Sequence, residues 1–274
     1  MRRRCSRFLL FSLLLVFTAP GTSSPPVFLP PEQPIISIII DDLGDHLERD
    51  FSVVELPGPV TLSLLPHTPH ARSIAHYAAD MGKEVMLHLP MEPMGTENMG
   101  PGGLTEQMDR ADFTETLLSD IDHLPNIVGI NNHMGSKLTR STKQMRWLME
   151  TLEERHPSLF FVDSFTSLHS VAFAVATEYS VPRARRDVFL DHDRDLFSIS
   201  LQFKRLIAKA KKHGSALAIA HPYPETIEFL SYWLPRLEQK GVKLVPASEF
   251  VELRQRREPV WRASLSPLRR VAKN

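Results

Sequence analysis

Seven short apolar runs recur along this chain, each separated from the next by a longer amphipathic stretch, and this alternation restricts the fold more than any other feature. The runs occupy residues 35–40, 60–65, 84–89, 127–130, 159–162, 187–190 and 216–220, with a weaker eighth at 242–245. Between them, patterns with helical spacing cover roughly 70–82, 111–123, 141–155, 167–179, 195–213 and 224–240. In "TKQMRWLMETLEER", Met145, Leu148, Met149 and Leu152 fall three or four apart, as on a core-facing helix. Strands that alternate with helices predict an α/β fold whose parallel sheet is covered by helices, and a closed β/α barrel is the economical version. A doubly wound open sheet is the alternative, weakened by the absence of GxGxxG after the first strand.

The ends of the chain differ from its middle. Residues 1–21 open with Arg2, Arg3, Arg4 and Arg7, continue through an apolar segment and finish on small residues, the pattern of a cleaved signal peptide. An apolar segment of ten residues, 8–17, is too short to span ~30 Å of hydrocarbon, so no stable membrane anchor is expected after cleavage. Cys5 leaves with that segment, and the mature chain then has neither disulfides nor thiolate ligands. Residues 22–34 are proline-rich and read as a linker, 35–253 as the barrel domain, and 254–274 as a basic tail. Of the 32 Lys and Arg, four lie in residues 1–21; the remaining 28 against 32 Asp and Glu leave a net charge of about −4. A mildly acidic body gives no reason to expect nucleic-acid binding. The sequence specifies no oligomeric state.

Chemistry gathers where the apolar runs stop, the position at which a β/α barrel builds its sites. The first run ends in Asp41 and Asp42. The third delivers His88 and Glu92. The fourth gives Asn131, Asn132, His133 and Ser136; the fifth, Asp163 and Ser164; the sixth, Asp191 and His192; the seventh, His221. Scattered surface charges would fall on helix faces instead. Taken singly, Asp42 or Asp45 could cap a helix, and His88 could be a satisfied core histidine. His67 and His70 are expected at a helix start, with the pocket as the alternative, while His46, His76, His123, His156, His169 and His213 are expected at the surface. A carboxylate with two histidines and no cysteine is a standard catalytic ligand set for a divalent metal. With a second carboxylate as general base and a further histidine as acid, that set supports hydrolysis. One of the paired aspartates could then face the metal while its neighbour faces the substrate.

The segments "IIIDDLG", "HMGS", "FFVDS" and "IAHP", in this order and spacing, resemble the divergent polysaccharide deacetylases, the YibQ-type branch of the NodB-like carbohydrate esterases. The resemblance covers about residues 34–252. It implies a distorted (β/α)7 barrel of the glycoside hydrolase/deacetylase type and a metal-dependent hydrolase that removes N- or O-acetyl groups from an envelope or extracellular polysaccharide. It further implies Asp41 as catalytic base, Asp42 as metal ligand and His221 as catalytic acid, with one divalent ion, most plausibly zinc. The family pattern supplies two histidine ligands from H-x-x-x-H, but here the third strand reads "HLPME" and Glu92 takes the second histidine's place. His88 and His133 are therefore the expected histidine ligands. Glu92 and Asp163 are second choices, and Asn132, Ser136 and Asp191 are further pocket candidates. The competing readings are a non-catalytic sugar-binding or envelope-scaffold protein on the same barrel, and a metal-free glycosidase using two strand-end carboxylates. With three Trp and four Tyr, the chain offers no long sugar-stacking platform.

Overall fold

The computed structural model describes residues 33–257; the expected signal peptide, most of the proline-rich segment and the tail beyond 257 lie outside the described residues. Among the described residues one parallel sheet carries nine strands, of which eight form the path β6-β5-β4-β3-β2-β1-β8-β7. The strands are β1 Ile35–Leu43, β2 Thr61–Leu64, β3 Glu84–Met91, β4 Ile127–Met134, β5 Phe160–Asp163, β6 Arg183–Arg185, β7 Val188–Phe189, β8 Ser215–Ala220 and β9 Lys243–Leu244. The helices are α1 Leu47–Val54, α2 Ala71–Asp80, α3 Arg110–His123, α4 Thr142–Arg155, α5 Ala172–Glu178, α6 Leu196–His213, α7 Pro224–Trp233 and α8 Ala247–Arg257. None of them is long and apolar enough to cross a membrane.

β1 sits centrally because it is apolar on both faces, as a strand covered on each side requires. Ile36, Ile38 and Ile40 pack with Leu62, Leu64 and Leu87 in the larger core, towards the helices. Ile35 and Ile39 join Met86, Val162, Leu217, Ile219 and Phe250 in a second, smaller core. Successive side chains of a strand point to opposite faces. The parity of Ile35 and Ile39 therefore carries on to Asp41, that of Met86 to His88, and that of Ile219 to His221. The strand ends thus deliver polar groups above the inner core, while Phe250 and Val251 of α8 fill that core.

Three expectations change. The expected strand at 187–190 shrinks to β7, an unexpected short strand, β6, precedes it, and the two stand at opposite ends of the path without pairing. Residues 186 and 187 bridge that gap through the chain itself, Arg186 N donating to Asp163 O (3.0 Å) and Asp187 N to Leu217 O (2.8 Å). The barrel is therefore distorted and open at one seam. The eighth strand does not extend the barrel wall: β9 pairs with β1 at Ile35 and Ile36, below the point where β2 begins to pair at Ile39. Finally, α1 was not signalled, because at eight residues it is too short to establish a period. It is fixed by buried Asp50, whose Oδ2 accepts from Gly44 N (2.7 Å) and His46 N (3.3 Å). Asp50, rather than Asp42 or Asp45, is thus the acceptor that settles this helix start. Gly44 has φ 121°, and a Cβ there would lie 2.1 Å from Thr68 Oγ1, so only glycine fits this turn.

Candidate metal centre and active site

Two adjacent carboxylates on a regular strand would face opposite sides of the sheet. Here the register slips between Ile40 and Leu43, and Asp42 adopts a left-handed backbone with φ 58°. Aspartate tolerates that conformation better than most residues. The bulge brings Asp42 round to the side that Asp41 already faces, and both line one cavity of about 170 Å³ with His88, His133, Arg186 and His221.

Asp42 Oδ1 lies 3.1 Å from His88 Nε2 and 2.9 Å from His133 Nδ1, and those two nitrogens are 3.2 Å apart. Although surrounded by ring nitrogens, this oxygen is buried and makes no hydrogen bond of acceptable geometry. Asn131 fixes the tautomer of His88. Its Nδ2 donates to Asp41 Oδ1 (2.8 Å) and Ser164 Oγ (3.2 Å), so its Oδ1 accepts from Ser63 Oγ (2.6 Å) and His88 Nδ1 (2.9 Å). In its neutral form, with the remaining proton on Nδ1, His88 would turn a lone pair at Nε2 towards Asp42 and His133. Two imidazole nitrogens and an orphaned carboxylate oxygen converging on one point suit a borderline divalent cation. Burial alone would raise Asp42, but the imidazoles of His133 and His88 outweigh it and hold the carboxyl well below the usual range. His88 responds in the opposite sense. Burial opposes its charge, yet Asp41 and Asp42 lift it to about 9, so ligation must displace a proton from this cluster.

Asp41 is 2% exposed, and burial raises its carboxyl against the opposing pull of His88, His221 and Asn131. His221 arrives from the end of β8, its Nε2 3.8 Å from Asp42 Oδ2. Its Nδ1 meets Asp191 Oδ1 at 3.0 Å, and its backbone N donates to Asp191 Oδ2 (2.6 Å). Thr226 Oγ1 donates to the same Oδ2 (2.8 Å). Burial acts to lower His221, but Asp191, then Asp42 and Asp41, raise it overall. Asp191 is thus a positioning residue behind His221, at hydrogen-bond distance from it rather than from the ligand cluster.

The second-choice residues are placed elsewhere. Glu92 accepts from Glu106 N (2.7 Å) and pairs with Lys137 (2.6 Å), which binds the 92–105 loop to the start of the segment after β4. Asp163 has the parity of Phe161, towards the outer core, where its oxygens accept from Phe165 N (2.9 Å) and Ser170 Oγ (3.0 Å). Ser136 Oγ accepts from Met94 N (2.9 Å). Asn132 borders the cavity, accepting from Ser164 N (2.9 Å) and donating to Met134 O (2.7 Å). Two contributors escaped sequence reasoning. Asn131 was visible only as a strand-end amide, with nothing to mark it as the link between Asp41 and His88. Arg186, in "RARR", reads as surface charge. It instead lines the cavity, donating to Ser164 O (2.6 Å) and Phe165 O (2.9 Å), and burial lowers its pKa against the attraction of Asp41 and Asp163.

A parallel β/α sheet, open at one seam, with a carboxylate–imidazole cluster at its strand ends defines the class: a deacetylase-type barrel with a candidate divalent-cation site. The family model for divergent polysaccharide deacetylases matches residues 38–251, and the chain belongs to that family. Two similar proteins are uncharacterised, one from Haemophilus influenzae and one, YibQ, from Escherichia coli. The first is 34% identical over 232 residues, covering 81% of this chain and 82% of that protein. The second is 35% identical over 216 residues, covering 79% and 67%. The crystal structure of an uncharacterised Agrobacterium tumefaciens protein, ATU2773, superposes with a TM-score of 0.76 at 24% identity, covering 79% of this chain and 89% of that one, and shares the fold.

Proposed function

We propose that this protein is an exported, metal-dependent hydrolase that removes acetyl groups from an envelope or extracellular polysaccharide. One observation carries the reading. In a member of this family, Asp41, Asp42, His88, His133 and His221 all line one small cavity at the sheet's carboxyl edge. Asp42, His88 and His133 would hold the ion, with zinc the best match to a thiolate-free nitrogen and carboxylate set. Such an ion supplies Lewis-acid polarisation of the acetyl carbonyl and acidifies water. Asp41 takes the proton from the attacking water at the oxygen not engaged by Asn131. Asn131, by bonding both Asp41 and His88, keeps base and ligand in one geometry. His221, protonated and held by Asp191, gives its Nε2 proton to the departing amine or alcohol. Arg186 adds positive charge beside the anion that develops on the acetyl group.

The test is acetate release from N- and O-acetylated glycans by mature protein reconstituted with zinc, with metal content measured by elemental analysis. Release that follows zinc occupancy is expected. Stoichiometric zinc with no release from any acetylated glycan would refute the hydrolase reading in favour of a sugar-binding protein. Export is checked by mass spectrometry of the secreted or periplasmic fraction, where a chain starting near Thr22 is expected.

A further inference from the structure

Beside the metal centre lies a larger cleft of about 470 Å³, which shares Asp42 and His133 with it and extends to His67 and the 98–101 stretch of the loop after β3. His67 was expected to start a helix; it stands instead in the cleft wall, with φ 58°. A left-handed histidine is uncommon, and such backbone persists where the surroundings hold it, often at ligand clamps. What holds it is Asp120 of α3, whose Oδ1 lies 2.8 Å from His67 Nε2. Asp120 is fully buried, and its Oδ2 has no hydrogen-bond partner. The loop closes over this carboxylate so tightly that a Cβ on Gly102 would come within 2.2 Å of it. A buried acid of this kind contributes little to packing. Its one evident interaction is with the imidazole.

From this arrangement we infer that His67, oriented by Asp120, is a substrate-binding residue of a glycan subsite, and that the cleft holds the sugar units flanking the acetyl group under attack. Several features suit a neutral oligosaccharide. Pro66, Pro69 and Pro101 give the cleft apolar ring faces that match the C–H faces of sugars, while His67, Thr68 and Asn98 supply hydrogen-bonding groups for hydroxyls. Burial pushes the Asp120 carboxyl up to about 8. At neutral pH Asp120 therefore keeps a proton to share with Nε2. His67 Nδ1, which has no partner among the described residues, then carries a hydrogen and serves as a donor. The inference rests on the deacetylase reading for the identity of the reacting group, but sugar binding can be measured without turnover.

The experiment uses zinc-loaded Asp41→Asn protein, in which hydrolysis is slowed by ~100-fold or more, and titrates it calorimetrically with a chitin tetramer and an acetylated xylan tetramer. His67→Gly, which suits the left-handed backbone and so keeps the loop, should weaken binding of at least one tetramer by about tenfold, the scale of one lost hydrogen bond with its packing. Asp120→Asn, still able to donate to Nε2, should bind as before. In the protein with Asp41 intact, His67→Gly should raise KM for the tetramer. Unchanged tetramer affinity in His67→Gly, or no binding of either tetramer to the Asp41→Asn protein, would overturn the subsite. Binding that depends on His67 in a protein that releases no acetate would keep the subsite and refute the hydrolase reading.

Discussion

Replacing Asp120 by asparagine should make this protein more stable, by an amount that grows with pH. A carboxyl that ordinarily ionises near 3.8 and is held at about 8 by burial retains its proton in the fold across roughly four pH decades over which the unfolded chain has lost it. At about 1.36 kcal/mol per decade, the folded state forfeits up to ~5.5 kcal/mol between those limits. The sign is clear. The folded state binds the extra proton, so the contribution of this group is most favourable below pH 4, falls as pH rises towards 8 and levels off beyond it. The gain expected for Asp120→Asn is therefore up to ~5.5 kcal/mol at pH 8.5, and near zero at pH 4. Urea denaturation of the two proteins at half-unit pH intervals measures this directly. Parallel stability curves, or a variant that is less stable at every pH, would show that Asp120 is ionised and satisfied in the fold and would refute the reasoning.

Other expectations follow from the site and the core. Asp42→Asn, which tolerates the left-handed backbone, and His88→Ala and His133→Ala should each lose most bound zinc by elemental analysis while keeping the far-UV dichroism; retention of stoichiometric zinc in all three would exclude this ligand set. Asp41→Asn and His221→Ala should keep the zinc and lose ~100- to 10,000-fold in acetate release. The pH–rate profile should lose its acidic limb in the first and its basic limb in the second. Gly129→Ala should destabilise the fold by about 1–3 kcal/mol by urea denaturation, since the added Cβ would lie 2.5 Å from the ring of Phe160.

The sequence by itself determined the layering and the end of the sheet at which the chemistry lies. Apolar runs with no polar alternation must be buried on both faces, so strands such as Ile35–Leu43 belong inside a parallel sheet under helices. Polar residues placed after those runs can then only emerge at the carboxyl edge. That logic reached Asp41, Asp42, His88, His133 and His221, because each lies near the carboxyl end of its strand or directly after it. It could not rank Asp163, since whether a strand-end residue turns inward depends on which face its strand gives to the inner core, and that is set by packing with Met86, Val162 and Leu217. Nor could it show that Asp41 and Asp42 face one cavity, which requires the bulge and the left-handed backbone of Asp42. Partnerships across long sequence separations were equally hidden. Asn131 joins Asp41 to His88, Asp191 orients His221, and Asp120 lies beneath His67. A hydrogen bond lasting only a few ångströms leaves no periodic trace in the chain, so only the folded arrangement of strands, loop and helix decides who its partners are.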